Sequence, residues 1–265
     1  MLNILAIEWF KVRKYRTFWI MIGMFAILLP LWNYGINDGV LRLGGSGKDG
    51  INLLDQAYTF NKVWDNIGWW TGIFVMFITI LTIILISNEY TFRTHRQNII
   101  DGLTRLESYH AKWMMVLIFA LFTTAYSFVI GLIFGLMNDS MANFPGDIKK
   151  LFYVFVLSLN YYGFGLVIAY LFKRSGIAIG IFFLYNMIVE KILQSFVNWR
   201  FDTEAFNLLP LQASDELLPF PLMTMAKQLV QVEESYSAST YIIASFAWIV
   251  VYYLIGRFRL LRSDW

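Results

Sequence analysis

Six long apolar runs separated by polar segments set the pattern of this chain, at residues 17–34, 67–86, 113–137, 151–172, 177–196 and 238–256. Each approaches the ~20 residues that a helix rising ~1.5 Å per residue needs to cross a ~30 Å hydrocarbon layer. The run F-V-M-F-I-T-I-L-T-I-I-L-I in the second of them is continuously apolar instead of alternating. That fits a helix bathed in lipid and argues against a strand of a membrane barrel. The pattern predicts an all-α polytopic membrane protein with six transmembrane helices, forming a single transmembrane domain over residues 1–265.

The connections differ in character. In residues 1–16, Leu2, Leu5, Trp9 and Val12 recur at helical spacing and basic residues gather at the end. This suits an amphipathic helix lying along the inner membrane surface, or a plain cytoplasmic extension of the first span. The early charges and the lack of a short apolar core followed by small residues speak against a cleavable signal. Pro30 lies near the far end of the first span, where a kink is tolerated. Residues 35–66 form a polar loop containing G-G-S-G-K-D-G. Arg42 stands where a Walker A loop needs its first Gly, and Asp49 follows Lys48, so the run reads as a flexible loop. Residues 173–176 allow only a tight hairpin. Residues 198–237 are an extracytoplasmic connection rich in acids, with Pro210, Pro219 and Pro221 and apolar patches that suggest short broken helices at the membrane edge.

Charge sets the orientation. With both termini inside, the inner segments hold 13 of the 21 basic residues and 5 of the 18 acids, a net of +8 inside against −5 outside. Cytoplasmic loops carry the Lys/Arg excess. Both termini and the segment 87–112 are therefore expected in the cytoplasm. Composition agrees with a lipid-embedded chain, 58% hydrophobic and 18% aromatic. No basic run points to nucleic acid. Small-residue pairs at Gly68/Gly72, Gly131/Gly135 and Gly176/Gly180 suit close helix approach, within one bundle before a dedicated dimer contact.

Candidate chemistry is sparse. There is no cysteine, and the two histidines, His95 and His110, lie in or beside the polar segment and read as surface residues. No metal-ligand spacing and no nucleophile with an activating partner occurs within a span, so neither a catalytic nor a metal site is assigned. Glu190 is the one acid placed within a span, ~20 Å along a helix from Ile177. An ionisable group at that depth suggests a polar translocation path, with Asn186 four residues earlier on the same face. The alternatives are that Glu190 snorkels with Lys191 to the outer headgroups, or that the span ends sooner. Thr79 and Thr82 read as ordinary membrane-helix threonines.

The segment 87–112, S-N-E-Y-T-F-R-T-H-R-Q-N-I-I-D-G-L-T-R-L-E-S-Y-H-A-K, intersperses charges with Tyr90, Phe92, Ile99, Ile100 and Leu103, and Asp101-Gly102 is a turn signal. A short helix with an apolar edge and a charged face, clamped between two spans, suits docking. At these residues the chain resembles the permease subunit of an ATP-binding-cassette transporter of the type-2 exporter class. The resemblance rests on an N-terminal surface helix, six spans, a second span ending in Glu89-Tyr90, a basic threonine-bearing segment, and Gly-Leu-Thr-Arg leading into the third span. The usual family text is closer to E-Y-R-x-G-T, from which T-F-R-T-H-R departs.

The resemblance implies that this segment is the cytoplasmic coupling helix, with Glu89, Tyr90, Arg93, Arg96, Asp101 and Arg105 in ATPase coupling. It implies two copies of an ABC ATPase subunit, which bind ATP and Mg, and a second permease subunit in a homodimer or heterodimer. It also implies a multi-pass protein of the bacterial inner membrane that exports a peptide, drug or lipid-like molecule by alternating access. The chain carries neither a Walker A lysine loop nor L-S-G-G-Q, so it is not expected to be an enzyme by itself and holds no cofactor of its own. A non-transporting anchor or sensor working with a soluble ATPase is the main alternative, and a membrane-embedded lipid-modifying enzyme a second.

Overall fold

A computed structural model describes residues 2–38, 42–43, 51–52, 57–94, 102, 104–221 and 236–262. It is an all-helical membrane protein. Six helices are long and apolar enough to cross a bilayer: Arg16–Asn37, Val63–Thr91, Arg105–Asn138, Lys150–Phe172, Ser175–Phe201 and Ala238–Arg262. They are the first to sixth spans. A separate helix, Leu2–Arg13, precedes them, and Tyr15, in extended conformation, breaks the chain between it and the first span. Of the loop after the first span, the described residues form a two-residue antiparallel pairing of Arg42–Leu43 with Ile51–Asn52.

Several helices run past the apolar stretches that announce them. The second begins at Val63 and ends at Thr91, the third begins at Arg105, and the fifth continues to Phe201. Hydrocarbon thickness limits the apolar run, whereas the backbone ladder continues into the interface wherever its ends are satisfied. The third span shows how. Thr104 Oγ1 accepts from the Glu107 N–H at 3.2 Å, and the Glu107 carboxylate accepts from the Thr104 N–H at 2.9 Å, a reciprocal cap. Between the fourth and fifth spans only Lys173 and Arg174 intervene, with Lys173 left-handed at φ 55°.

The fourth span is the hub. It packs on the second, third, fifth and sixth, and 72% of its apolar window is buried, against 17–22% for the first, fifth and sixth. Those three present faces such as Trp19, Ile27 and Leu31, or Ile243, Val250 and Leu254, outward. A lipid solvent makes such exposure favourable. Polar side chains join spans inside the bundle: Thr71 to Ser127 at 2.9 Å and Thr123 to Tyr162 at 2.7 Å. Thr79 and Thr82 are fully buried and donate to the carbonyls of Val75 and Ile78, one turn back. Both hydroxyls are thereby satisfied within their own helix.

Close approach explains three of the six glycines in the small-residue pairs. A Cβ at Gly68 would lie 2.7 Å from Leu218, and one at Gly131 or Gly135 would lie 2.6 Å from Trp64 or Phe60, whereas Gly176 and Gly180 face open space. Trp64 cannot yield readily, because its Nε1 donates to Pro145 O at 2.7 Å and its ring stacks on Phe128 at 5.9 Å. Gly131→Ala is therefore expected to lower stability by ~1–3 kcal/mol, as overpacking of a rigid core does. Thermal unfolding in detergent checks it, with Gly23→Ala, which meets nothing within 4 Å, as the neutral control.

Candidate functional site

Two sites stand out, one at each end of the bundle. The first, inner by the orientation expected from charge, is a buried ionic cluster at the ends of the polar segment between the second and third spans. Lys112 is 2% exposed, and its Nζ pairs with both Glu8 Oε2 of the N-terminal helix and Glu89 Oε1 in the last turn of the second span. Lys11 closes the ring, 3.2 Å from Glu8 and 3.5 Å from Glu89. Beside it Asn88 Nδ2 donates to the Tyr15 hydroxyl at 2.7 Å. Burial works to raise the Glu8 carboxyl, but the Lys112 and Lys11 ammoniums outweigh it and hold the group below the usual glutamate range. Three elements are thus locked together: the N-terminal helix, the foot of the second span and the foot of the third. A cavity of about 180 Å³ opens alongside, bounded by Val12, Tyr15, Leu85, Phe92 and Met115.

The surrounding aromatic residues fix the same region to the rest of the bundle. Tyr90 meets the Tyr170 ring edge-on at 6.0 Å, with the Lys173 ammonium 5.2 Å from its face. The Tyr109 hydroxyl donates to Tyr253 O at 2.7 Å. His110, expected on the surface, is half-buried instead: its Nε2 lies 2.9 Å from the Tyr253 hydroxyl and the two rings are parallel. It is drawn in because the third span begins eight residues before the apolar run and packs on the sixth.

The residues assigned to coupling divide accordingly. Glu89 and Tyr90 lie in the final turn of the second span, whose helix runs on into the segment 87–112. Arg93 follows in left-handed conformation, φ 56°, with its side chain exposed, and Arg105 opens the third span. Arg96 and Asp101, together with His95, lie outside the described residues.

The second site, outer by the same expectation, is a cavity of about 760 Å³ between the second, fourth and fifth spans, within the range of small-molecule pockets. Trp69, Gly72, Ile73 and Met76 of the second span form one wall. Tyr161 of the fourth, Asn186 and Lys191 of the fifth, and Gln212, Asp215, Glu216 and Phe220 of the connection form the rest. The described part of that connection folds inward and includes two short helices, Ala205–Leu208 and Gln212–Asp215. Its polar groups are spoken for by the spans. The Tyr161 hydroxyl donates to Asp215 Oδ1 at 2.8 Å and lies 3.2 Å from Asn186 Oδ1, while Lys191 reaches Gln212 Oε1 at 2.6 Å and Asp215 at 3.2 Å. Burial pushes the Asp215 carboxyl up, against the pull of Lys191 and Tyr161.

Asn186 and Glu190 therefore part ways. Asn186 lines the cavity. Glu190 is 1% exposed and sits behind its wall, where Oε1 accepts the N–H groups of Leu211 at 2.8 Å and Gln212 at 3.1 Å. Lys112, Glu8 and Lys11 were visible in the sequence only as contributors to charge asymmetry. The hint available was that Glu8 is the single acid in a basic leader and Lys112 the last charge before an apolar run. Their meeting across 104 positions was not legible.

Comparison with known proteins gives one family match. The family described as ABC-2 family transporter protein matches residues 4–189, from the N-terminal helix to the residue before Glu190. A search of curated proteins finds no match.

Proposed function

This chain belongs to the ABC-2 family of transporter proteins, and on that premise we propose that it exports a peptide, drug or lipid-like molecule by alternating access. It is the membrane permease component of an ABC transporter, which works with an ABC ATPase. We take the complex to hold two such ATPases, which bind ATP and Mg, and two permease subunits, in a bacterial inner membrane with both chain termini cytoplasmic.

The observation that carries the proposal is the cluster of Glu8, Lys11, Glu89 and Lys112. A segment that receives force must be gripped at both ends, and this cluster grips Glu89 at the start of the segment and Lys112 at its finish against the same N-terminal helix. The second span then carries the displacement outward. From Glu89 to Met76, on the wall of the outer cavity, is 13 residues of unbroken helix, ~20 Å. The proposed cycle is thus a push on residues 87–112, a shift of the second span, and a change in the access of the outer cavity. The size of that cavity and its mixture of Trp69, Met76 and Phe220 with Tyr161, Asn186 and Asp215 support a cargo with both apolar and polar parts.

The test is co-purification with the ATPase in gentle detergent. Arg93→Glu combined with Arg96→Glu is expected to weaken ATPase retention by about ten-fold, the scale of ~1.4 kcal/mol, with membrane insertion intact. Recovery of the chain without any ATPase, or undiminished retention by the double variant, removes the docking role. An anchor or sensor would retain the ATPase equally well but would leave cavity accessibility unmoved by ATP.

A further inference from the structure

We infer that the cavity between the second, fourth and fifth spans takes an organic cation, a single positive charge carried on an apolar or aromatic body, with Glu216 as its counter-charge and Trp69 and Phe220 as its ring wall. The inference rests on the reading of that cavity as the cargo path and narrows the cargo within it. Three observations carry it.

The charges around the cavity do not cancel. Among the described residues that line it, one ammonium, Lys191, stands against two carboxylates, Asp215 and Glu216. Lys191 is taken up by Asp215, whose Oδ2 lies 3.2 Å from its Nζ while Oδ1 accepts from the Tyr161 hydroxyl at 2.8 Å. Glu216 has no cationic partner among the described residues. Its donors are the uncharged side-chain amides of Gln212, at 2.6 Å, and Gln194, at 3.2 Å. Gln212 also stands between the opposite charges, since its Oε1 accepts from Lys191 at 2.6 Å. One negative charge is left over, and Glu190, behind the wall, adds nothing positive to offset it.

The left-over carboxylate has capacity to spare. Both amides bond Glu216 Oε1, and Oε2 has no hydrogen-bond partner among the described residues. An ionised carboxylate oxygen accepts from an ammonium or faces a delocalised cation, and it has nothing to give an anion. Much of the remaining lining is apolar, with Ile73, Met76, Leu157 and Leu218, so the charge acts in surroundings less polar than water, where it discriminates more strongly.

The rings supply the second half of the recognition. Trp69 and Phe220 both line the cavity with their centroids 4.4 Å apart, and Trp69 is braced edge-on by Trp70, also at 4.4 Å, which in turn meets Trp32 at 5.1 Å. Aromatic faces attract a cation through the ring quadrupole and give its apolar body a surface to lie on. A neutral amphiphile gains from the rings alone, whereas an anion is opposed by Glu216.

The probes are tetraphenylphosphonium, a cation on an apolar body, and triphenylphosphine oxide, its uncharged relative, each brought to equilibrium by dialysis against the complete complex in detergent without ATP. In the wild type the cation is expected to bind at least about ten-fold tighter than the oxide; Glu216→Gln, which keeps an acceptor for Gln212, should cut that preference below about three-fold, and Glu216→Asp should retain it. Gly72→Trp, which fills the cavity, should weaken both ligands. Equal affinities in the wild type, no binding of the cation, a preference undiminished in Glu216→Gln, or cation binding untouched by Gly72→Trp each overturns the proposal. Should Glu216→Gln fail to accumulate, the wild-type comparison and Gly72→Trp decide on the same thresholds. A complex that exports but binds the two ligands alike loses the cation and keeps the export reading. One that binds the cation selectively but moves nothing with ATP keeps the cation and loses export.

Discussion

Lys112→Met is expected to destabilise the protein by ~3–5 kcal/mol, the cost of stranding buried charge when one partner of a buried ion pair is removed. The Lys112 side chain is 3% exposed and those of its partners 8% and 13%, so water reaches little of the cluster. Lys11 remains near both carboxylates but is 32% exposed and more distant, at 3.2 and 3.5 Å, which places the expected loss at the lower end. Thermal unfolding in detergent, followed by tryptophan fluorescence, measures it. Replacing its three most buried members, Glu8→Gln with Glu89→Gln and Lys112→Met, should recover most of the stability, because a complete buried ion pair is worth little over neutral groups of the same shape. It should not recover ATP-driven movement, since the grip at both ends of the segment is gone. A loss below ~1 kcal/mol in the single variant would place the cluster among weak surface pairs.

The second large effect concerns the outer cavity. Gly72 lies on its wall, and a Cβ there would meet only Leu157, at 3.4 Å, an ordinary contact. Gly72→Trp can therefore extend into the 760 Å³ space without forcing the bundle apart. Export is expected to fall by at least ten-fold, equivalent to ~1.4 kcal/mol or more of lost binding, while the melting temperature and ATPase retention stay near wild type. Trp at Gly23, which faces open space, is the matched control and should export normally. Loss of stability in Gly72→Trp would instead show that the space is core that closes in the working protein.

The six spans were readable because lipid imposes a simple rule: a helix must be apolar over the thickness of the bilayer. The same rule misplaces helix ends, since Val63, Arg105 and Phe201 stay helical in the interface where charges are tolerated. Asn186 could be picked out as a polar residue at mid-span. Glu190 could not be resolved between path lining and snorkelling, because its partners, Leu211 and Gln212, are main-chain groups in a proline-rich connection with no periodicity to place them. The ionic cluster was hidden for a related reason. Lys112 at the mouth of a span looks like any inner-face cation, and only the return of the N-terminal helix to the feet of the second and third spans brings Glu8 to it. His110 reads as a surface residue for the same reason, its burial depending on a helix that starts earlier than its apolar run.

A push on residues 87–112, carried along the second span, is expected to change access to the cavity around Met76, and one labelling measurement tests that link without knowledge of the cargo. Met76→Cys in the complete complex is exposed to a membrane-impermeant maleimide, with the ATPase either empty or trapped with ATP and vanadate. Labelling rates are expected to differ at least about five-fold between the two states, the scale of ~1 kcal/mol of differential population, with the difference abolished by Lys112→Met. Equal rates in the two states, in a complex that hydrolyses ATP, would contradict it.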